Sequence, residues 1–562
     1  MGHTTHTSPG AAAKEFRDRH GPRVSPVALA LIVGASFAGL AELDARAFAD
    51  PTGVGEGADS PAPSRPRVEE TAIHEIGAGG GDETSRPPSL ADLERDLRAA
   101  RPEKRRSTLK KLAELKVRAA WDLVLKSLSD PEPMVADEAQ LALAGVDEPK
   151  LLADLYGRAG LSAQSPWVRL RVAEAFGRMS IEADGQALMR AASPADVELA
   201  RTLLWSIERL ASARKLGGDR AKLVHSLESL CQSKYDAGLR GAALQALCAI
   251  DPPTARPIAR EALLERDPVL RCAGLRVSQT WTEVECTACA RQSLADPEPA
   301  VRAQAIENLE RLSSKAAILT LIEHMQLEAR RRLRYGILAF LQQRSGLAHE
   351  FDAAAWKRWA EQIVGAVTTG AAAGVHLGPV GDTRVTFAGL NVISDRVCFL
   401  IDCSGSLWQA KVGERTRKEI ADEMLRKALE ALPADTEFNV IPYTDVPIPW
   451  EKRLVPSRSD NVKRALDFFE RCHRTGTGNF YDAVALALSD PRVDTVVVLS
   501  DGIPTGGHRW NLDLMFDLLV EANRFRKVAF DSILVDAPKS AQRKWADLAR
   551  RTGGRSIVAD LK

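Results

Sequence analysis

Asp402, Ser404 and Ser406 stand in the stretch VCFLIDCSGSLW, residues 397–408, directly after a short apolar run. The run reads as a strand buried on both faces of a parallel sheet. Because the three oxygen-bearing residues alternate with Cys403 and Gly405, a chain still extended as it leaves the sheet could turn all three toward one point. Converging oxygens are costly in a core and useful in a site. A second apolar run ends the same way, in Asp501 of VVVLSDG.

The elements that must carry these residues alternate in type. From about Thr383 the strand-like runs are RVTFAGLNV, RVCFLID, EFNVIPYTD, DTVVVLSDG, AFDSILVDA and RSIVADL. Between them lie helical segments such as RTRKEIADEMLRKALEAL, SDNVKRALDFFERC, NFYDAVALAL, LDLMFDLLVEANRF and AQRKWADLARR. That order predicts an α/β doubly wound, Rossmann-like domain, a mostly parallel sheet covered on both faces. Ligands of such sheets bind beyond the carboxyl ends of the strands, where Asp402 and Asp501 stand.

The motif DCSGS matches the Asp-x-Ser-x-Ser motif of von Willebrand factor type A domains. TGTGNFYDAVALAL resembles their threonine loop and following helix, and VVVLSDGIPTGG their second aspartate strand. The resemblance covers residues 383–562, with the three motifs in the correct order. It implies a metal-ion-dependent adhesion site in which Ser404, Ser406 and Thr477 offer hydroxyls, while Asp402 and Asp501 hold the ion directly or through water. The donor chemistry agrees: hard oxygens, with no thiolate or imidazole, suit Mg2+ or Mn2+. Two carboxylates offset the charge, so a vacant position would favour an anionic ligand, a partner's Glu or Asp side chain. The interval from Thr477 to Asp482 and Ala483 is longer than the family's pattern, which leaves Thr475 as an alternative; Thr477 is preferred because it follows Gly476. Leu407 stands where the family often has Met, a packing exchange that should leave the metal alone.

Ahead of this domain the chain repeats itself. DPEPMVADEAQLAL begins at Asp130, SPWVRLRVAEAFGRM at Ser165, DPVLRCAGLRV at Asp267 and DPEPAVRAQAIENL at Asp296. Each opens on an Asp or Ser cap with Pro in the first turn, which suits helix entry. An apolar residue followed by Arg, as in Val168-Arg169, Leu270-Arg271 and Val301-Arg302, resembles the second helix of a HEAT repeat. Residues 89–346 are therefore expected to form an all-α HEAT-like solenoid of about seven or eight helix pairs. Such a surface commonly serves as a concave docking scaffold. Cys286 and Cys289 fall on one helical face with apolar neighbours and lack a second ligand pair, so core packing is the better reading than zinc. Trp356 and Trp359 share a helical face within 347–382, a helix followed by a Gly/Ala-rich linker, and should close the solenoid or dock the next domain.

The amino terminus differs in kind. Basic residues precede an uncharged apolar run from Val24 to Leu40, and Ala47-Phe48-Ala49 supplies a small-x-small site. Residues 1–49 read as a secretory signal or a retained membrane anchor, and 50–88, rich in Pro, Gly and Ser, as a disordered tether. An exported protein is expected, periplasmic, surface-held or membrane-anchored.

A net charge of +1 over 562 residues argues against a nucleic-acid partner. Eight cysteines in so long a chain do not make a disulfide framework. The sequence thus points to a non-enzymatic, cation-dependent binding or scaffold protein with the solenoid as a second interaction surface. The enzymatic rival, a metal-dependent phosphatase using Asp402 as nucleophile, loses its general acid: haloacid dehalogenase-type enzymes carry a second aspartate where this chain has Ser404. Neither serine lies in Gly-x-Ser-x-Gly, and His473 and His508 read as loop residues. A structural assembly factor with an unused metal site is the third possibility.

Overall fold

The computed structural model describes residues 88–559, apart from 233, 313, 364–384, 409–410, 413 and 473–475. The expected export segment and the tether up to residue 87 lie outside the described residues. Among the described residues no helix is long and apolar enough to cross a membrane.

From Leu90–Asp96 to Ala353–Glu361 the chain is an array of paired helices. The second helices of successive pairs, Pro133–Leu143, Pro166–Phe176, Val197–Ser212, Ala237–Ile250, Pro268–Ser278, Pro299–Arg311 and Arg331–Ser345, stack on one another in order and form an inner row. Prolines in the first turn start four of these helices, as the sequence predicts. The repeated arginine has a definite task. Arg271 donates through Nη1 to the carbonyls of Glu265 (3.0 Å) and Arg266 (2.7 Å), and through Nε and Nη2 to Asp296 of the next repeat (2.6 and 2.8 Å). Arg302 repeats this with the carbonyls of Asp296 and Pro297 and with Glu328. Bidentate, charge-assisted bonds of this kind fix geometry as well as adding energy, so each arginine locks its own helix entry and stitches neighbouring repeats. At the far end Trp356 is fully buried in the solenoid core and meets Trp359 edge-on at 5.8 Å, closing the array. Cys286 is buried and Cys289 half-buried against that core; both are free thiols.

The carboxy-terminal domain is built on a six-stranded sheet of β1 (Arg396–Asp402), β2 (Glu437–Tyr443), β3 (Val455–Pro456), β4 (Thr495–Ser500), β5 (Ala529–Val535) and β6 (Ser556–Ala559). The order is β6-β5-β4-β1-β2-β3, parallel throughout except for the short edge strand β3. Alternate residues of β1 feed opposite cores: Val397, Phe399 and Ile401 pack under the helices Arg417–Glu430 and Ser459–Glu470, and Cys398 and Leu400 under Phe480–Leu488, Leu512–Ala522 and Lys539–Thr552. That two-sided burial is why the strand reads as an unbroken apolar run. The expected strand RVTFAGLNV is instead a tight hairpin, Thr386–Phe387 against Leu390–Asn391. Ala388 and Gly389 both take positive φ (46° and 88°), the backbone of a two-residue hairpin turn.

The two regions are joined by a charged and partly apolar interface along the inner row. Phe525 of the carboxy-terminal domain belongs to the solenoid's own hydrophobic cluster. Arg524 pairs with Glu208, both buried. Lys527 Nζ reaches Glu307 at 2.5 Å while its carbonyl accepts from Arg332 (2.7 Å). Arg331 bonds Asp395 through its amide and Nε (2.9 and 2.5 Å). Charges survive such burial only when each is matched, and here Glu208, Glu307 and Asp395 each face an Arg or Lys of the other region. Part of the surface that the sequence offered as a free docking scaffold is thus occupied by the chain's own domain.

Candidate metal site

Strand order decides where the site can be. From β1 the chain crosses to β2 on one side; from β4, the neighbour of β1 on the other side, it crosses away to β5. Between β1 and β4 the winding reverses, which opens a crevice at the carboxyl ends of the two strands. Asp402 ends β1, and Asp501 directly follows β4.

Around Asp402 the geometry is specific. Its Oδ2 accepts from Ser500 Oγ at 2.8 Å, and its Oδ1 from the Ser404 amide at 2.9 Å. Asp402 is 2% and Ser404 4% exposed, whereas Asp501 is half-buried and Thr477 exposed. Burial pushes the Asp402 carboxyl up to about 6, and the negative charge of Asp501 pushes the same way, against the hydrogen bonds from Ser404 and Ser500. Among the described residues no Lys, Arg or His pairs with Asp402.

The threonine loop meets this centre through its glycines. A β-carbon on Gly478 would lie 3.6 Å from both Asp402 carboxylate oxygens and 3.7 Å from Thr505 Oγ1. Gly478 therefore sits between them, and its amide donates to Thr505 Oγ1 at 2.8 Å. Thr477 is engaged otherwise: its amide and hydroxyl donate to Asp445 Oδ1 at 2.8 and 2.6 Å. Its hydroxyl oxygen keeps lone pairs, with Asp445 fixing its orientation. Ser406 lies on the short helix Gly405–Trp408, adjoining the loop of Asp402 and Ser404, and its side chain is outside the described residues, as are Thr475 and His473.

Three participants were not singled out from the sequence: Ser500, Thr505 and Asp445. Ser500 could have been suspected from its place beside Asp501. Asp445 follows β2 and is brought in only because β2 pairs with β1.

Asp-x-Ser-x-Ser after the central strand, a threonine loop beside it and a second aspartate across the switch point form one constellation on one sheet. The carboxy-terminal domain has the fold and the motif set of von Willebrand factor type A domains. In front of this domain stands a HEAT-like helical array.

No protein-family model matches the chain. Among curated proteins it is similar to human inter-alpha-trypsin inhibitor heavy chain H4, 31% identical over 131 residues, 21% of this chain and 13% of that protein. Heavy chain H2 of the same species is 28% identical over 130 residues, again 21% of this chain and 13% of the relative. The matched stretch thus spans a small part of these relatives' length. A solved von Willebrand factor type A protein from Catenulispora acidiphila aligns at 18% identity with a TM-score of 0.26, covering 30% of this chain and 38% of that one. Kap121p aligns at 14% identity with a TM-score of 0.27, covering 46% and 38%.

The residues of the von Willebrand factor type A site fit a hard dication. Carboxylates and hydroxyls would be the donors, and among the described residues no group of three His, Cys, Asp or Glu forms a metal cluster. An ion here would depend on Ser and Thr oxygens and water to complete its shell.

Proposed function

We propose that the von Willebrand factor type A domain holds Mg2+ or Mn2+ through Asp402, Ser404, Ser406, Thr477 and Asp501, and through the ion captures a Glu or Asp side chain of a protein partner. The chain would then be a non-enzymatic adhesion or scaffold protein, exported as its apolar run Val24–Leu40 suggests. The observation that carries the reading is the meeting of Asp402 and Asp501 at the switch point, where the negative charge of Asp501 acts on the buried Asp402 carboxyl. A dication relieves that repulsion and keeps a net positive pole toward solvent, which selects an anionic ligand over a neutral one. The bound ion supplies a Lewis-acidic position; the chain's own residues orient it, Asp445 by fixing Thr477, and Ser500 by fixing Asp402.

Calorimetric titration of the full chain with Mg2+ tests the ion, and affinity capture with Mg2+ or chelator tests the partner. Heat of binding that disappears in Asp402→Ala, with capture lost in chelator, supports the reading. A wild-type chain that binds neither Mg2+ nor Mn2+ would overturn it.

A further inference from the structure

The loop that begins at Asp501 ends inside the solenoid. Arg509 is 2% exposed; its Nη1 donates to Gln140 at 2.7 Å and its Nη2 to Glu174, both on the inner row. The amides of Trp510 and Asn511 each donate to Asp137 Oδ2 at 2.7 Å, placing a solenoid carboxylate at the start of the helix Leu512–Ala522, where it favours the positive helix end. Arg171 holds Asp137 from the other side and also donates to the His508 carbonyl at 3.2 Å.

Between its two ends the same loop is fitted against the helix Lys539–Thr552 and the threonine loop. Trp545 Nε1 donates to the Gly502 carbonyl at 3.0 Å, and the Thr505 amide to the Gly478 carbonyl at 3.2 Å. β-carbons on Gly506 and Gly507 would collide with Thr477 and Asn479. A segment pinned in the middle and clamped at the far end has little freedom left at Asp501.

We propose that Asp137 and Arg509 are positioning residues of the ion site, so that docking of the solenoid on residues 508–511 sets ion affinity and ion binding in turn tightens the docked loop. The inference rests on the ion-binding reading above and adds to it a second region of the chain. Linkage makes the effect reciprocal: whatever factor docking contributes to ion affinity, the ion returns to docking.

Full-length protein is titrated with Mg2+ by calorimetry as wild type, Asp137→Ala and Arg256→Ala, the last a control on an outer helix against Trp281. Hydrogen exchange at Trp510 and Asn511 is followed in wild type with and without Mg2+. Asp137→Ala should raise the Mg2+ Kd about fivefold or more, Arg256→Ala should leave it unchanged, and Mg2+ should slow exchange at the two amides. The exchange arm uses the unaltered chain, so it reads the coupling even if Asp137→Ala fails to fold. A wild type that binds Mg2+ with exchange at both amides unchanged overturns the coupling and leaves the ion site standing. Equal Kd changes in Asp137→Ala and Arg256→Ala overturn it as well. No Mg2+ binding by wild type overturns the ion site and the coupling together.

Discussion

Phe525 rests on Gly241. A β-carbon at Gly241 would stand 2.7 Å from Phe525 Cε2, so the helix Ala237–Ile250 can bear the ring only because position 241 has no side chain. Gly241→Leu should push Phe525 out of the solenoid cluster at a cost of about 1–3 kcal/mol. Limited proteolysis and small-angle scattering should show two folded regions held less tightly; unchanged dimensions and protection would show that this contact does not set the docking.

Arg524 and Glu208 form the buried pair beside that ring. Breaking one side leaves an uncompensated charge, so Glu208→Leu or Arg524→Met alone should cost about 3–5 kcal/mol, whereas the double replacement should be close to neutral. Denaturant unfolding of all four proteins in a double-mutant cycle measures this. Additive losses would mean that the two side chains are not coupled.

Burial lifts the carboxyl of Glu198, at the first turn of Val197–Ser212, to about 7, with Arg509 opposing. An acid whose pKa is raised by folding holds its proton longer in the native state, so its contribution is complete below the unfolded value near 4.5 and is lost as pH rises toward 7. Glu198→Gln should remove that decline and leave the variant more stable than wild type by about 2 kcal/mol at pH 8, the value allowing for partial solvent screening. Parallel stability curves from pH 4 to pH 8 (the span about the ordinary and raised carboxyl values) would contradict it.

An ion that selects the folded state should stabilise the chain by about 2.7 kcal/mol at a hundredfold excess over its dissociation constant. Asp402→Ala should abolish the shift in thermal unfolding while keeping the circular dichroism of the wild type, because Asp402 stands at the end of β1 and its side chain meets hydroxyls and amides. An Mg2+-dependent shift that survives the substitution would place the ion elsewhere.

Much of this was legible in the linear chain. The apolar run of β1 and its abrupt end in Asp402 announce a doubly buried strand with a site at its tip, since both faces of a parallel strand need apolar residues and its end does not. The repeating Pro entry and apolar-Arg pair announce the solenoid, because each arginine answers a local demand, two carbonyls of its own helix entry and one carboxylate of the next repeat. Periodicity could not reveal the turn at Ala388 and Gly389, where two positive φ angles fold one apparent strand into a hairpin.

What only the tertiary structure decided is the company these residues keep. Asp445 meets Thr477 and Ser500 meets Asp402 because strand pairing brings distant segments side by side, and no spacing in the sequence encodes that distance. Buried charges such as Asp137, Glu174 and Arg509 read locally as solvated helix and loop positions. Their role appears only when the domain folds back along the inner row, since a charge becomes a fixed contact once a partner from elsewhere in the chain has replaced its water. The sequence by itself determined the two folds and the oxygen-lined strand ends; tertiary structure alone decided that one region grips the loop of the other's site.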